Sequence, residues 1–258
     1  MINCRETWYD AEKKVAVTIV DVTGAAQALA RGHLCGPTAA HFLSEALAAA
    51  ALLGSETSEK DEVVSVQMKC DGPLGGFNVE CTADGKLRGY TEKKILEDFD
   101  GLGKPKAKDV IVSAQYQVTR SVPGRILSQG ISNSLDGYLA GSLQRKAVIF
   151  TEAAVNDEVE VLEARGVLVE ELPDGKDTGV LGVKFKSLAV ASRNLLKQLG
   201  LGAAELKSSV PLAFACRCSP ERAVAMLGAL SDEEKKALPP TIDITCHMCG
   251  RTFTVRTK

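Results

Sequence analysis

Cys216-Arg217-Cys218-Ser219 and Cys246-His247-Met248-Cys249-Gly250 bring four of the chain's eight cysteines into two tight turns, with twenty-seven residues between Cys218 and Cys246. Zinc takes tetrahedral sulfur and nitrogen ligands, and two short cysteine pairs flanking a foldable insert close such a site with no position left for substrate. That predicts a structural metal centre unless the thiolates themselves react. The CxC half departs from the paired CxxC of ordinary zinc ribbons. Cysteines two or three residues apart can also approach disulfide geometry once a metal leaves. The same four sulfurs can therefore hold zinc when reduced and form local disulfides when oxidised, so a switch and a permanent staple both stay open. Four thiolates complete a tetrahedron, which leaves His247 outside the expected ligand set.

The surrounding residues predict a small unit built on these turns. Ser219-Pro220 supplies an N-cap and a first-turn proline for a helix with Ala223, Met226, Leu227 and Leu230 as its apolar stripe. Ser231 and Glu234 form a capping box for the next helix, which Pro239-Pro240 ends. Ile242–Ile244 and Phe253–Val255 alternate on either side of Cys246–Gly250 and predict a hairpin with the metal turn at its tip. The unit, residues 212–258, is too short to bury much surface, so metal coordination is expected to supply much of its stability.

Further upstream, Leu188, Ala191, Leu195, Leu196 and Leu199 give a helical stripe ended by Gly200, and a second short helix is predicted over Ala203–Ser208. Residues 181–211 thus read as a helical linker whose apolar stripe needs a partner surface. A polar, glycine-containing break at Lys176–Gly182 marks its start, and a chain ending near Gly179 is expected to fold without metal. Residues 1–180 predict an α+β core. Its strands are Val15–Val22, Val63–Met68, Phe77–Cys81, Leu87–Tyr90, Val110–Val118, Ala147–Phe150 and Gly166–Glu170. Its helices are Ala25–Arg31, a longer one capped by Thr38 and ended by Gly54, and Ile131–Leu143. The loop Asp71–Gly76 turns the chain between strands; without a following GK[ST] it is no phosphate cradle.

Composition narrows the function classes. The 258 residues are 45% hydrophobic and 25% charged, enough for a sizeable core, and the formal net charge is -2, which gives no general attraction to nucleic acid or anionic membrane. The longest apolar run, Ala46–Leu53, is too short to span a bilayer, and the first residues do not open a secretory signal, so a cytoplasmic location is expected. In a reducing compartment the cysteines read as ligands, sensors or buried thiols. A nucleic-acid-binding zinc module is poorly supplied, because the C-terminal unit is not strongly basic and, from the first cysteine pair onward, offers only Phe253 among Phe, Tyr and Trp for stacking. A thiol oxidoreductase needs a low-pKa cysteine in a thioredoxin-like setting that this chain does not show. Cys4, Cys35, Cys70 and Cys81 lack tight pairing and read as buried or incidental thiols; His33 and His41 flank Cys35 without motif spacing. No catalytic residue and no enzymatic activity are expected.

The CxCS and CxxCG motifs, the stretch Cys70-Asp71-Gly72-Pro73-Leu74-Gly75-Gly76, the run Gly85-Lys86-Leu87-Arg88-Gly89-Tyr90, and Gly166-Val167-Leu168 with Leu172-Pro173 together resemble the heat-shock protein 33 family of redox-regulated chaperones. The resemblance covers nearly the whole chain. It implies an α+β domain, a helical linker and a zinc domain with one zinc per chain on Cys216, Cys218, Cys246 and Cys249. It further implies that oxidative stress forms Cys216–Cys218 and Cys246–Cys249 disulfides, releases zinc, unfolds the zinc domain and linker, and exposes apolar surface. Unfolding client proteins would then be held without ATP, by a homodimer in the oxidised form. Tyr138, Ser142 and Gln144 match the family's YFxxSEQ pattern, whereas Leu143 stands in place of its glutamate, and the linker is shorter than in familiar members. The alternative is a constitutive zinc-stabilised protein that binds clients or nucleic acid without switching.

Overall fold

Runs of β-branched residues set the sheets and an alanine-rich helix separates them. The structure, a computed structural model, describes residues 3–173, 175 and 177–257. Strands β1 (Cys4–Asp10) and β2 (Val15–Asp21) form an antiparallel hairpin. Helices α1 (Thr23–His33) and α2 (Pro37–Leu53) follow. Nearly every side chain of α2 is buried, as expected of a helix apolar all round. It packs between strands of both large sheets. Thr38 does not cap it. The N-cap residue is Gly36, and the Thr38 amide donates to Asp100 Oδ1 at 2.9 Å, a cap supplied from a distant loop.

Strands β3 (Val63–Lys69), β4 (Gly76–Thr82) and β5 (Lys86–Thr91) form a meander at the expected positions. The expected strand Val110–Val118 divides instead into the end of a short helix α3 (Ala107–Val110), a turn, and the start of β6 (Gln115–Val122). The leading residues are held by backbone bonds to the Asp71–Gly76 loop, such as Asp71 N–H to the Val112 carbonyl, which bend the chain there. Strand β7 (Arg125–Ser132) takes Ile131 out of the expected helix. Helix α4 (Leu135–Gly141) starts later because Ser134 Oγ accepts from the Gly137 amide and fixes the N-terminus. Tyr138 on α4 is buried, and Leu143 packs against the main core. Strands β8 (Lys146–Val155) and β9 (Val161–Glu171) complete the N-terminal part. In the stretch from Lys176 to Gly182, Lys176 lies outside the described residues, and Val180–Gly182 is a tight 3-10 turn.

Beyond it, the expected helical stripe is only partly helical, because α5 (Ser192–Gln198) carries Leu195 and Leu196 while Leu188 and Ala191 precede it; the predicted helix Ala203–Ser208 is instead a turn leading into strand β10 (Glu205–Pro211). The correction has a tertiary cause: β1 offers an open edge, and β10 pairs along it from Cys4↔Pro211 to Tyr9↔Glu205. Strand pairing overrides weak local helix preference. The leucines Leu188, Leu195, Leu196 and Leu199 bury against Trp8, Val15, Val17, Val167 and Val169, so the 181–211 stretch covers one face of the first sheet. Last come β11 (Ala213–Phe214), α6 (Pro220–Leu227), α7 (Asp232–Ala237), β12 (Thr241–Thr245) and β13 (Thr252–Arg256). The fold is α+β with sheet orders β10-β1-β2-β9-β8 and β11-β5-β4-β3-β6-β7 and a separate β12-β13 hairpin. Only β11–β5 is parallel among the pairs of the described residues. Among those residues no helix is long and apolar enough to cross a membrane.

Candidate metal centre

Cys216 and Cys218 lie between β11 and α6, where Ser219 Oγ accepts from the Arg222 amide and stops the helix from extending back over them. Cys246 and Cys249 sit in the β12–β13 turn. The Cys246 amide donates to the Arg251 carbonyl at 2.8 Å and the Gly250 amide to the Cys246 carbonyl at 2.9 Å. Gly250 has φ +73°, a left-handed conformation that closes the turn and favours glycine. These local devices aim the four sulfurs inward. All four Sγ atoms lie within 4.8 Å of one another, with Cys216–Cys246 at 3.7 Å and Cys218–Cys249 at 3.4 Å.

The donor set fits zinc. Four sulfurs about 2.3 Å from one ion stand about 3.8 Å apart at tetrahedral angles, which falls within the observed spread. The short contacts run between the turns, so the cluster ties β11–α6 to the β12–β13 hairpin. His247 is not among the clustered ligands; its ring stacks on Tyr90 with centroids 4.3 Å apart and planes at 19°. Arg88 Nη1 is 3.9 Å from Cys216 Sγ and is itself paired with Glu80 at 2.6 Å. Burial alone would raise the Cys216 thiol; hydrogen bonds from Cys218, Cys249 and Arg88 outweigh it and bring the thiol down to about 7. Burial pushes Cys218 and Cys249 the other way. A cavity of about 360 Å³ bordered by Arg88, Arg222, Met226 and Phe253 reaches Cys218 and Cys246.

The cluster is fastened to the core by backbone. Cys249 is buried within the main hydrophobic core. The Gly89 amide donates to the Met248 carbonyl at 3.1 Å, and His33 Nε2 lies 2.9 Å from the Gly89 carbonyl, to which it donates. Gly32 on α1 is needed for this approach, because a Cβ there would meet the Cys249 carbonyl at 2.7 Å. His33, Gly32, Arg88 and Glu80 were not expected at the site. The only sequence signal was the Arg88-Gly89-Tyr90 run, whose part in seating the metal turn depends on tertiary contact.

The other cysteines are elsewhere. Cys35 and Cys81 are buried, and burial raises each thiol to about 11, which suits inert core residues. Cys4 and Cys70 are half-buried. His41 Nε2 lies 3.5 Å from Glu45 Oε1, and neither His41 nor His33 is hydrogen-bonded to Cys35 among the described residues.

A family model described as Hsp33 protein matches residues 8–256. The 33 kDa chaperonin of Thermus thermophilus is 27% identical over 275 residues, covering 92% of this chain and 79% of that protein. The 33 kDa chaperonin of a Cyanothece species is 28% identical over 274 residues, covering 94% of this chain and 90% of its own. The crystal structure of the 33 kDa chaperonin (heat shock protein 33 homolog) from Thermotoga maritima superposes with TM-score 0.88 at 17% identity, covering 100% of this chain and 96% of that one. That likeness is one of fold.

Proposed function

This chain belongs to the Hsp33 family, and from that premise we propose that it is a chaperone of the ATP-independent, holding kind, switched on by oxidation of its four clustered cysteines. The observation that carries the reading is the convergence of four Sγ atoms within 4.8 Å at a cluster seated on the core. A zinc ion held by Cys216, Cys218, Cys246 and Cys249 would cross-link two turns of a unit too small to be stable alone. The division into a core (1–180), a linker (181–211) and a zinc unit (212–258) belongs to the same proposal, as do a cytoplasmic location and a homodimer in the oxidised form.

Hydrogen bonds from Cys218, Cys249 and Arg88 lower the Cys216 thiol, and the cavity that reaches Cys218 and Cys246 admits a small oxidant such as hydrogen peroxide. Oxidation of Cys216 with Cys218, and of Cys246 with Cys249, forms one S–S bond per pair; each pair of thiolates gives up two electrons, and one peroxide takes these with two protons from solvent and becomes two waters. The four ligands are thereby withdrawn. The reduced cluster brings all the sulfurs close, so the local pairing rests on the family resemblance. Without the cross-link, the unit loses its main stabiliser and the backbone bonds it makes to β5, so that Leu212 and Phe214 leave the main core and expose apolar surface for unfolding clients. The test is zinc content and free-thiol count before and after peroxide, alongside suppression of aggregation of a chemically unfolded client. The expected result is one zinc per chain when reduced, four thiols lost on oxidation and holding only afterwards; equal holding by the reduced form would leave a constitutive binder.

A further inference from the structure

Strand β5 is paired with β4 from Leu87 to Thr91 on one side, whereas among the described residues its other side is met in register by only the two residues of β11, Ala213↔Lys86 and Phe214↔Leu87, in parallel. The outward backbone groups of β5 and its leading turn are nevertheless occupied one after another. The Ala213 amide donates to the Gly85 carbonyl and the Ala215 amide to the Leu87 carbonyl, each at 3.0 Å. The Gly89 amide donates to the Met248 carbonyl, and the Gly89 carbonyl accepts from His33. Apart from His33, every partner comes from the stretch that carries the cysteine cluster. Gly85 makes the approach of that stretch possible: its φ is +82°, and a Cβ there would meet the Pro211 carbonyl at 2.2 Å. The occupying segment is extended, and the side chains of Leu212 and Phe214, two residues apart, pack into the main core beside it. A sheet edge stripped of this cover would present an open row of donors and acceptors.

We propose that the β5 edge, Gly85–Tyr90, is a masked strand-addition site: when 213–215 and 248 leave, it takes an extended segment of an unfolding polypeptide bearing apolar side chains at alternate positions. The inference rests on the client-holding reading above and names what that client contributes, namely backbone in β conformation. Main-chain hydrogen bonds give affinity without regard to sequence, and the places for alternate side chains add only a preference for apolar residues, which suits clients that share no sequence. The chain's own residues 211–215 show the geometry of the complex by occupying it.

The test uses the full-length, zinc-loaded protein and a fluorescein-labelled peptide copying residues 209–215, Ser-Val-Pro-Leu-Ala-Phe-Ala. Two variants loosen the cover while reduced: Gly32→Leu, which collides with the Cys249 backbone and alters no cysteine, and Ala213→Pro, which removes the amide donated to Gly85. Oxidised wild-type protein is a third sample. Peptide affinity is read by anisotropy and backbone protection by hydrogen exchange with mass spectrometry. The expected result is peptide binding at least roughly tenfold tighter to each opened sample than to reduced wild type, with exchange over 86–91 faster on opening and slowed again about tenfold by peptide. Binding that leaves 86–91 unprotected overturns the proposal, as does equal binding to reduced wild type. Protection of 86–91 in the opened protein by dimerisation alone, without peptide, assigns the edge to a second copy and overturns it too. If oxidised protein holds client while 86–91 stays as in the reduced form, the inference fails and the chaperone reading stands. If oxidised protein holds no client, the redox reading fails and the two reduced variants still decide the β5 edge.

Discussion

Cys246 is joined to its partners by geometry that only a cysteine supplies: its Sγ lies 3.7 Å from Cys216, and its backbone amide and carbonyl both serve to close the metal turn. Cys246→Ser keeps those backbone bonds and removes one thiolate. Zinc affinity, measured by competition with a chromophoric chelator, should fall by more than the roughly 10–100-fold typical of residues that only support a ligand. Zinc retained at wild-type affinity would remove Cys246 from the ligand set. A second residue, Glu62, tests the core instead. It is fully buried, accepts from Arg120 at 2.6 Å and from the Ser58 amide at 2.8 Å. Burial raises its carboxyl, but the Arg120 hydrogen bond and the Ser58 and Glu59 amides prevail and hold it below the usual carboxylate range. A depressed folded pKa stabilises the fold above the unfolded carboxylate pKa of about 4.3 and loses that contribution as pH falls through the folded value. Glu62→Gln should therefore cost about 1.5–3 kcal/mol at pH 7, the worth of a charge-assisted hydrogen bond, because the Arg120 left behind is partly exposed and keeps its bond to the Glu56 carbonyl. The deficit should shrink as pH drops below about 4. Urea unfolding of both proteins at pH 7 and at acid pH measures it; a deficit independent of pH would show that packing, not charge, is lost.

At the scale of elements, local chemistry and tertiary contact divide the fold between them. Helices α6 and α7 were legible because their caps are local: Ser219 and Ser231 each bond an amide three residues on, and Glu234 completes a capping box. Strands β3 to β5 were legible from β-branched runs between glycine turns. Strand β1 was missed because Glu6, Thr7 and Asp10 interrupt its apolar pattern, and β10 was misread because nothing in Glu205–Pro211 announces the β1 edge it joins. The four cysteines could be read from spacing alone, but their seat on Arg88, Gly89 and His33 could not, since it depends on which surfaces meet. Helix α2 shows the same limit. Thr38 stood where a cap was expected, yet the cap is Asp100, whose Oδ1 accepts from Thr38 and whose Oδ2 accepts from the Leu96 amide at 3.0 Å. Asp100→Ala should lower stability by about 1–2 kcal/mol, as loss of an N-cap carboxylate does. Asp100→Asn should recover much of it, because the amide oxygen can still accept. Equal urea midpoints for wild type and Asp100→Ala would show that the loop contributes no cap.

For the whole molecule, the stretch after Gly179 is the piece on which independence of the core turns. Sequence alone set the core's end there and expected the truncated chain to fold without metal. The structure shows what that cut removes: Leu188, Leu195, Leu196, Leu199 and Leu201 cover Trp8, Val15, Val17, Val167 and Val169, and β10 pairs with the β1 edge. Each buried leucine is worth about 1.5–3 kcal/mol, so the covering layer matches the net stability of a typical domain, about 5–15 kcal/mol. The main core around α2 is made almost wholly by residues before Gly179, including Leu43, Leu47, Val66, Val79 and Leu139, and remains intact in such a chain. A protein ending at Gly179 should therefore keep a cooperative α2-centred unfolding transition, yet expose the first sheet's outer face and the β1 edge. It should bind an apolar dye strongly and associate, whereas a chain ending at Leu212 should do neither. Calorimetry and dye fluorescence on the two truncations, compared with the full-length protein, measure both effects. Dye binding by the chain ending at Leu212 as strong as by the shorter one would show that residues 181–211 need the cysteine unit to stay on the sheet, and loss of any cooperative transition in the shorter chain would show that the core extends past Gly179.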